Sequence, residues 1–448
     1  MPTPLLLSDA IEFLIEQAKK NGADAAESFG VDSTTTSAEC RQQKTETLEY
    51  AQTAAVDLRV FYGHQPAIVS SSVLEKEALT ELAERAVQMA KVVPEDPYCG
   101  LADPDSQART LPDLDMYDAE EKSAQQLLDL ALETENAAMS VNGVSQSDGA
   151  GASIDKSHII MASTTGFKRE YYRSSASFSV SVIAAGDNGD REMDYDYSSA
   201  VYFSDLESPE KIGKSAGERA VKRLNPQKIA SQTMNVVFEP RLARELIGTL
   251  TSAINGAAIA RGTSFLKDCL HTQILPEELT LLEDPFKKRG LRSRPCDAEG
   301  LPCQPKALVE KGVLTTWLLD LHSAGKLNMA PTGHATRGLG GSPRPSASNL
   351  TLTGGKISPE ELIKGIKNGI YVTQLFGQGI NMITGDYSRG ATGFLIENGK
   401  ITVPVSEITV AGSLKDMFKN MIAANDLDER YAFNVPTLCL PQMSVAGK

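Results

Sequence analysis

Phe394-Leu395-Ile396-Glu397-Asn398-Gly399-Lys400-Ile401-Thr402-Val403-Pro404-Val405 reads as two strands around a two-residue turn. Asn-Gly supplies two residues that accept positive φ, which the tight hairpin turn requires. The flanks are apolar and β-branched, as a half-buried strand pair needs. A hairpin here puts an antiparallel sheet in the C-terminal part of the chain, and the surrounding sequence agrees. Beyond Leu291 the chain is rich in glycine and turn residues, with short strand-like runs such as Leu314-Thr315-Thr316-Trp317-Leu318-Leu319. Pro359 to Lys367 and Ser413 to Ala423 read as short helices, and Arg241 to Ala260 as one longer helix. Residues 229–448 are therefore expected to form a mostly antiparallel β domain with a few helices, a barrel-like closure being one form of it.

Working toward the N-terminus, the pattern becomes helices alternating with groups of strands. Ser8 to Lys20 repeats apolar residues at helical spacing (Ile11, Leu14, Ile15, Ala18), and Gly22 can end that helix. Ala23 to Ser72 predicts three or four antiparallel strands, with Tyr62-Gly63-His64-Gln65 as a hairpin turn. Glu75 to Val92 is helical and stops at Pro94. Pro94 to Pro112 reads as a linker. Asp118 to Met139 is a third helix, and strands follow from Val144 to Phe203. Within them Ser175-Ala176-Ser177-Phe178-Ser179-Val180-Ser181-Val182 alternates small polar with apolar residues, as a one-sided sheet would. Ser208-Pro209-Glu210 starts a helix that Asn225-Pro226 ends. The fold class is α+β: an N-terminal unit over 1–112, a central unit over 113–228, both with helices on antiparallel sheets, and the C-terminal domain.

Composition narrows the function. Of 448 residues 41% are hydrophobic and 23% charged, ordinary values for a globular protein. The net charge of −14 opposes binding to a phosphate backbone. The basic run Lys287, Lys288, Arg289, Arg292, Arg294 reads as a solvated loop. Met1 to Ser8 lacks the basic and apolar regions of a signal peptide. No run approaches the ~18 apolar residues that span a membrane. Six scattered cysteines fit reduced thiols and a cytoplasmic protein.

The usual catalytic signatures are missing. The five histidines are His64, His158, His271, His322 and His334. None is followed by Glu or has a second His one helical turn away, the arrangement that presents a zinc site. Cys296 and Cys303 are too far apart for a metal knuckle. No nucleophile elbow and no phosphate loop occur. Gly186-Asp187-Asn188-Gly189-Asp190 lacks the spaced ligands of a calcium loop.

One segment stands out: Thr373-Gln374-Leu375-Phe376-Gly377-Gln378-Gly379-Ile380-Asn381-Met382-Ile383-Thr384-Gly385-Asp386-Tyr387-Ser388-Arg389-Gly390-Ala391. Its glycines allow close approach of another backbone, and Gln374, Gln378, Asn381, Asp386, Tyr387 and Arg389 offer polar groups. Gly377, Gly379 and Gly385 complete the candidate peptide-binding set. Two readings stay open: a groove for an extended peptide, or a buried turn network held by Asp386 and Arg389.

Several stretches, in order along the chain, resemble the TldD/PmbA metallopeptidase family. They are Arg261 to Pro276, Gly312 to Leu319, Pro331-Thr332-Gly333-His334-Ala335, Thr384 to Ala391, and Pro404-Val405-Ser406-Glu407-Ile408-Thr409-Val410-Ala411-Gly412-Ser413-Leu414-Lys415-Asp416-Met417. The likeness covers the C-terminal half closely and the N-terminal half by general organisation. In that family the TldD-like subunits carry a His-Glu-x-x-x-His helix and a later cysteine ligand. The corresponding stretch here is Arg244-Glu245-Leu246-Ile247-Gly248-Thr249. Arg244 and Thr249 stand where imidazoles are needed, Asn425 to Arg430 holds no cysteine, and Cys439 does not match the ligand position. Glu245 is expected to have no general-base role.

The resemblance therefore implies the PmbA/TldE side of a TldD/TldE-type zinc metallopeptidase acting on unfolded peptides. Such a chain has no catalytic residue and no cofactor of its own, the zinc lying on a TldD-like partner. It contributes to dimerisation and to a substrate channel, in the cytoplasm, without nucleic acid or membrane. Two rivals remain. One is a self-sufficient homodimeric peptidase with a site drawn from His322, His334, Cys296 or Glu407. The other is a regulatory protein-binding factor of the gyrase-modulator type.

Overall fold

The computed structural model describes residues 4–186, 189–353 and 355–447. Asp187 and Asn188 of the acidic turn, and Met1 to Thr3, lie outside the described residues. The first half is built from α1 (Leu7–Lys20), β1 (Ala25–Arg41), β2 (Lys44–Tyr62), β3 (Gln65–Ser71) and α2 (Lys76–Ala90). It continues with α3 (Ala124–Met139), β4 (Val144–Ser163), β5 (Lys168–Ala185), β6 (Arg191–Ala200) and α4 (Pro209–Lys222). The same order, helix, three strands, helix, thus occurs twice. The two sets of strands are not separate sheets. β1 pairs antiparallel with β4 from Glu27↔Ser163 to Cys40↔Ala150, giving one six-stranded sheet in the order β3-β2-β1-β4-β5-β6.

Alternation along the strands decides which face the helices cover. Val56, Leu58, Val60, Ile160 and Ala162 pack with α1 and α2. Ala150, Ala152, Ile154, Phe178, Val180 and Val182 pack with α3 and α4. The opposite face carries buried Glu27, Phe29, Asp57, Arg59 and Arg169 at one end and small polar residues at the other. α3 begins at Ala124, later than the expected Asp118, because Ser123 and Gln126 form a capping box there. Asp118 instead accepts the amide of Phe203. The segment expected as a linker is pinned: the Asp96 amide donates to the His64 carbonyl, the Ala108 amide to that of Gly300, and the Asp96 carboxylate meets His322.

The C-terminal half contains β7 (Gln232–Phe238), α5 (Pro240–Ala253), α6 (Gly256–Ala260), β8 (Leu281–Asp284), β9 (Lys306–Glu310), β10 (Val313–Leu314) and α7 (Leu321–Leu327). After these come β11 (Ala335–Thr336), β12 (Arg344–Pro345), β13 (Asn349–Leu352), α8 (Pro359–Lys364), β14 (Asn368–Phe376), β15 (Asp386–Glu397) and β16 (Lys400–Ser413). The chain ends with α9 (Leu414–Asn420), β17 (Ile422–Ala423), β18 (Phe433–Asn434) and β19 (Leu438–Ala446). The expected hairpin is β15–β16, with Glu397 opposite Lys400 and positive φ at Asn398 (50°) and Gly399 (78°). The sheet runs β16-β15-β14-β7-β19, and β19 pairs back onto β16 at Thr409↔Ala446, closing a five-stranded barrel. A second sheet, β10-β9-β8-β13-β18, packs against the same core.

Several expected elements are shorter: α8 stops at Lys364, α9 stops at Asn420 ahead of β17, and two others are broken by particular contacts. The helix over 241–260 breaks at Asn255, whose side chain caps the Ala257 amide and donates to the Pro345 carbonyl. The strand expected at 314–319 stops at Leu314. Trp317, Leu318 and Leu319 are buried in a loop whose Leu318 amide donates to Ile254.

Buried charge joins the two halves. Arg337 lies 2.9 Å from Glu27 and 2.7 Å from Asp57, and Arg59 also meets Glu27. A second cluster sets Arg219, Arg223 and Arg241 against Asp194 and Glu239. Ionised groups this deep are tolerable only when paired.

Candidate functional site

Where the C-terminal half leaves the opposite face of the first sheet open, that face is a serine surface. Registers place Ser37, Ser153, Ser177 and Ser199 in one row across β1, β4, β5 and β6. The Ser153 and Ser177 hydroxyls are 3.1 Å apart, and Thr35 donates to Asp155 at 2.7 Å. Small side chains leave room above the strands: a cavity of about 460 Å³ lies over Ser37, Gly151, Ser153, Ser177 and Ser179, walled by Tyr195 and Tyr197. These tyrosines are two apart on β6 and so share a face.

This surface meets α5 at its end. Leu242, Ala243, Leu246, Ile247 and Leu250 bury one side of α5 in the C-terminal core, leaving Glu245, Thr249 and Ser252 outward. Arg244 lies over the Tyr431 ring at 3.6 Å and reaches the Tyr197 hydroxyl at 3.5 Å. Glu245 is paired with Arg389 at 2.9 Å. The Thr249 hydroxyl donates back to the Glu245 carbonyl at 3.0 Å. The three positions that a zinc helix would use thus carry a cation on an aromatic face, a carboxylate in an ion pair, and a hydroxyl bonded to its own helix. This donor set does not fit a zinc ion. Among the described residues no group of three or more His, Cys, Asp or Glu is placed to hold a metal.

The remaining candidates are dispersed. His334 is buried between Thr332 and Glu283. His322 contacts Asp96. His158 stacks on Tyr172. Cys296 meets Arg169, and burial pushes its thiol up to about 11. Glu407 pairs with Lys228. His322, His334, Cys296 and Glu407 thus each sit in a different contact set.

The glycine-rich segment is a self-bonded loop between β14 and β15. The Ser388 amide donates to Gly379 at 2.7 Å, the Asn381 amide to Asp386 at 2.9 Å, and the Gly385 amide to Asn381 at 2.8 Å. The Asn381 side chain accepts from Ile383 and Thr384. A Cβ at Gly379 would lie 1.5 Å from the Ser388 carbonyl oxygen, so only glycine fits. Gly377 turns the chain at positive φ. Gly385 also has positive φ and backs onto Phe265. Gln374 faces inward and accepts from Arg223. Tyr387 is buried, which pushes its phenol up. Phe376, Gln378, Asn381, Ile383 and Asp386 remain outward, Ile383 at 62% exposure. The structure therefore brings Arg389 to Glu245 and separates Gln374 and Tyr387 from the outer surface.

Tyr195, Tyr197 and Tyr431 were not singled out by the sequence. The Asp194-Tyr195-Asp196-Tyr197 alternation marks two rings on one face, but nothing local ties them to Tyr431.

The same domain order appears in known proteins. Residues 26–90 match PmbA/TldA metallopeptidase domain 1, residues 117–224 the central domain, and residues 231–447 the C-terminal domain of that family. The chain is 35% identical to metalloprotease PmbA of Escherichia coli O157:H7, over 99% of this chain and 96% of that one. It is 36% identical to a metalloprotease PmbA homologue of Haemophilus influenzae, over 98% and 96%. A crystal structure from Bacteroides thetaiotaomicron, described as a candidate modulator of DNA gyrase, superposes with a TM-score of 0.90 at 28% identity, covering 98% of this chain and 99% of that one. With all three domains matched in order and that identity sustained along nearly its whole length, the chain belongs to the PmbA/TldD metallopeptidase family.

Proposed function

We propose that this chain is the metal-free subunit of a two-subunit zinc peptidase and supplies part of the surface over which unfolded peptides pass. The observation that carries the reading is α5: Arg244 is stacked on Tyr431, and Glu245 is tied to Arg389. A guanidinium is never a zinc ligand at physiological pH. The metal and the water it activates then belong to a TldD-like partner that docks on the C-terminal domain.

On this reading the serine face takes extended chains with little side-chain preference, because short hydroxyls can either donate or accept. The loop over 374–389 has spent many of its amides on itself. Its contribution is a firm rim of exposed side chains, Phe376, Gln378, Asn381 and Asp386, beside the Glu245–Arg389 pair. Six unpaired cysteines suit a reducing, cytoplasmic setting. Among the described residues no helix is long and apolar enough to cross a membrane.

The test is cleavage of an unstructured peptide by the purified chain, by a TldD-like subunit, and by the two together. The reading expects chelator-sensitive cleavage that needs the TldD-like subunit and rises when this chain is added. Robust chelator-sensitive cleavage by this chain alone would sink it.

A further inference from the structure

A second recess lies between Arg59 on β2 and the α6–α7 region, and it reaches Ser252 on the outward side of α5. Its volume is about 610 Å³, within the range of small-molecule sites. Both signs of charge line it. Arg261, just after α6, and Arg344, on β12, are exposed and have no ion pair among the described residues. Two unpaired guanidiniums at one recess favour an oxyanion such as a carboxylate.

The acidic groups of the recess differ in how far they are already used. Asp320 caps α7 and accepts the Ser323 amide at 2.8 Å. Asp96 is held by His322 at 2.8 Å. Glu299 is not used up: one carboxyl oxygen accepts the Leu321 amide at 2.8 Å, and the other has no hydrogen-bond partner among the described residues. Behind it, Asp297 is fully buried and accepts the amides of Glu299, Leu301 and Ala335 at 2.9, 2.8 and 3.2 Å. Burial pushes Asp297 up to about 6, against the pull of these three amide donors. Burial, and then the neighbouring Asp297 carboxylate, push Glu299 well above the usual carboxylate range.

We infer that this recess binds a small zwitterion of the amino-acid or dipeptide class, its carboxylate on Arg261 and Arg344 and its ammonium on Glu299. An arriving ammonium favours the charged form of Glu299, so binding releases a proton from that carboxyl to solvent. The inference rests on the recess alone and not on the subunit reading above.

The experiment is calorimetric titration of the full chain with the dipeptide Ala-Ala, with N-acetyl-Ala-Ala and with Ala-Ala amide. Saturable binding of Ala-Ala is expected. Blocking either end should weaken it roughly tenfold, equivalent to about 1.4 kcal/mol. The heat should vary with the ionisation enthalpy of the buffer, reporting the released proton. Glu299→Gln should abolish that variation and the preference for a free amine. Arg344→Gln and Arg261→Gln, at exposed positions, should each remove preference for the free carboxylate. Absence of saturable binding, equal binding of the blocked peptides, or unchanged affinities in these variants overturns the inference. A chain that binds Ala-Ala but does not raise cleavage by a TldD-like subunit keeps this site and loses the proposed function.

Discussion

Glu245→Gln separates a structural carboxylate from a catalytic one. Glu245 is the residue that would be the general base if α5 were a zinc helix. In the structure its side chain is 54% exposed and its contact is Arg389, 2.9 Å away and 17% exposed. With its carboxylate half exposed the pair contributes about 0.2–1 kcal/mol, and glutamine keeps an oxygen that can accept from the largely buried Arg389, so the amide should lower stability by less than ~1 kcal/mol. A general base, by contrast, contributes about 10²–10⁴-fold in rate. The complex of the Glu245→Gln chain with a TldD-like subunit should therefore keep peptide cleavage within about twofold of wild type, far from the range set by a lost base. The assay is kcat/KM on an unstructured fluorogenic peptide, with complex formation checked by gel filtration. Neutralising the glutamate of the partner's own zinc helix provides the contrast and should remove activity. A hundredfold loss from Glu245→Gln in a stable, assembled complex would refute the reasoning.

Other substitutions probe the frame around the site. Arg337→Met leaves Glu27 and Asp57 short of a buried partner and should cost about 3–5 kcal/mol in urea unfolding at neutral pH. Burial already pushes Asp57 above the usual carboxylate range against the pull of Arg337. Without that pull the penalty is largest where Asp57 must be ionised, and it should shrink as pH falls and Asp57 takes up a proton; a pH-independent loss would count against the network. Gly379→Ala sets a methyl against the Ser388 carbonyl and should destabilise by more than about 2 kcal/mol, whereas Gln378→Ala next to it should change stability by less than about 0.5 kcal/mol. Equal effects would contradict the self-bonded loop. Ser179→Tyr fills space over the serine face; it should cut kcat/KM of the complex by roughly tenfold while the melting temperature of this chain stays put, and unchanged turnover would remove the face from the peptide path.

What the sequence revealed was local. Asn398-Gly399 marked its turn because two adjacent positive φ values admit few residue types. The Ser175–Val182 alternation marked a one-sided sheet because strand period ties sequence parity to face. Neither signal names a distant partner. The β1–β4 pairing that merges the two N-terminal units, and the Thr409↔Ala446 contact that closes the barrel, join strands far apart in sequence. Asn255 broke a helix that periodicity supported, because its side chain is claimed by Pro345, 90 residues away. The site behaves the same way. Arg389 was legible as a candidate and Glu245 as an orphaned motif residue, but their pairing spans 144 positions and exists only in the fold. Tyr431 carries no motif at all, and its role comes from the guanidinium placed over it.

The central claim is that the catalytic metal is not held by this chain. Its most direct test is zinc content, measured by mass spectrometry after dialysis, for this chain alone, for a TldD-like subunit alone and for their complex. The account predicts about one zinc per TldD-like subunit, as a catalytic zinc site requires, the same amount per complex, and only traces in this chain. Stoichiometric zinc retained by this chain alone would contradict it.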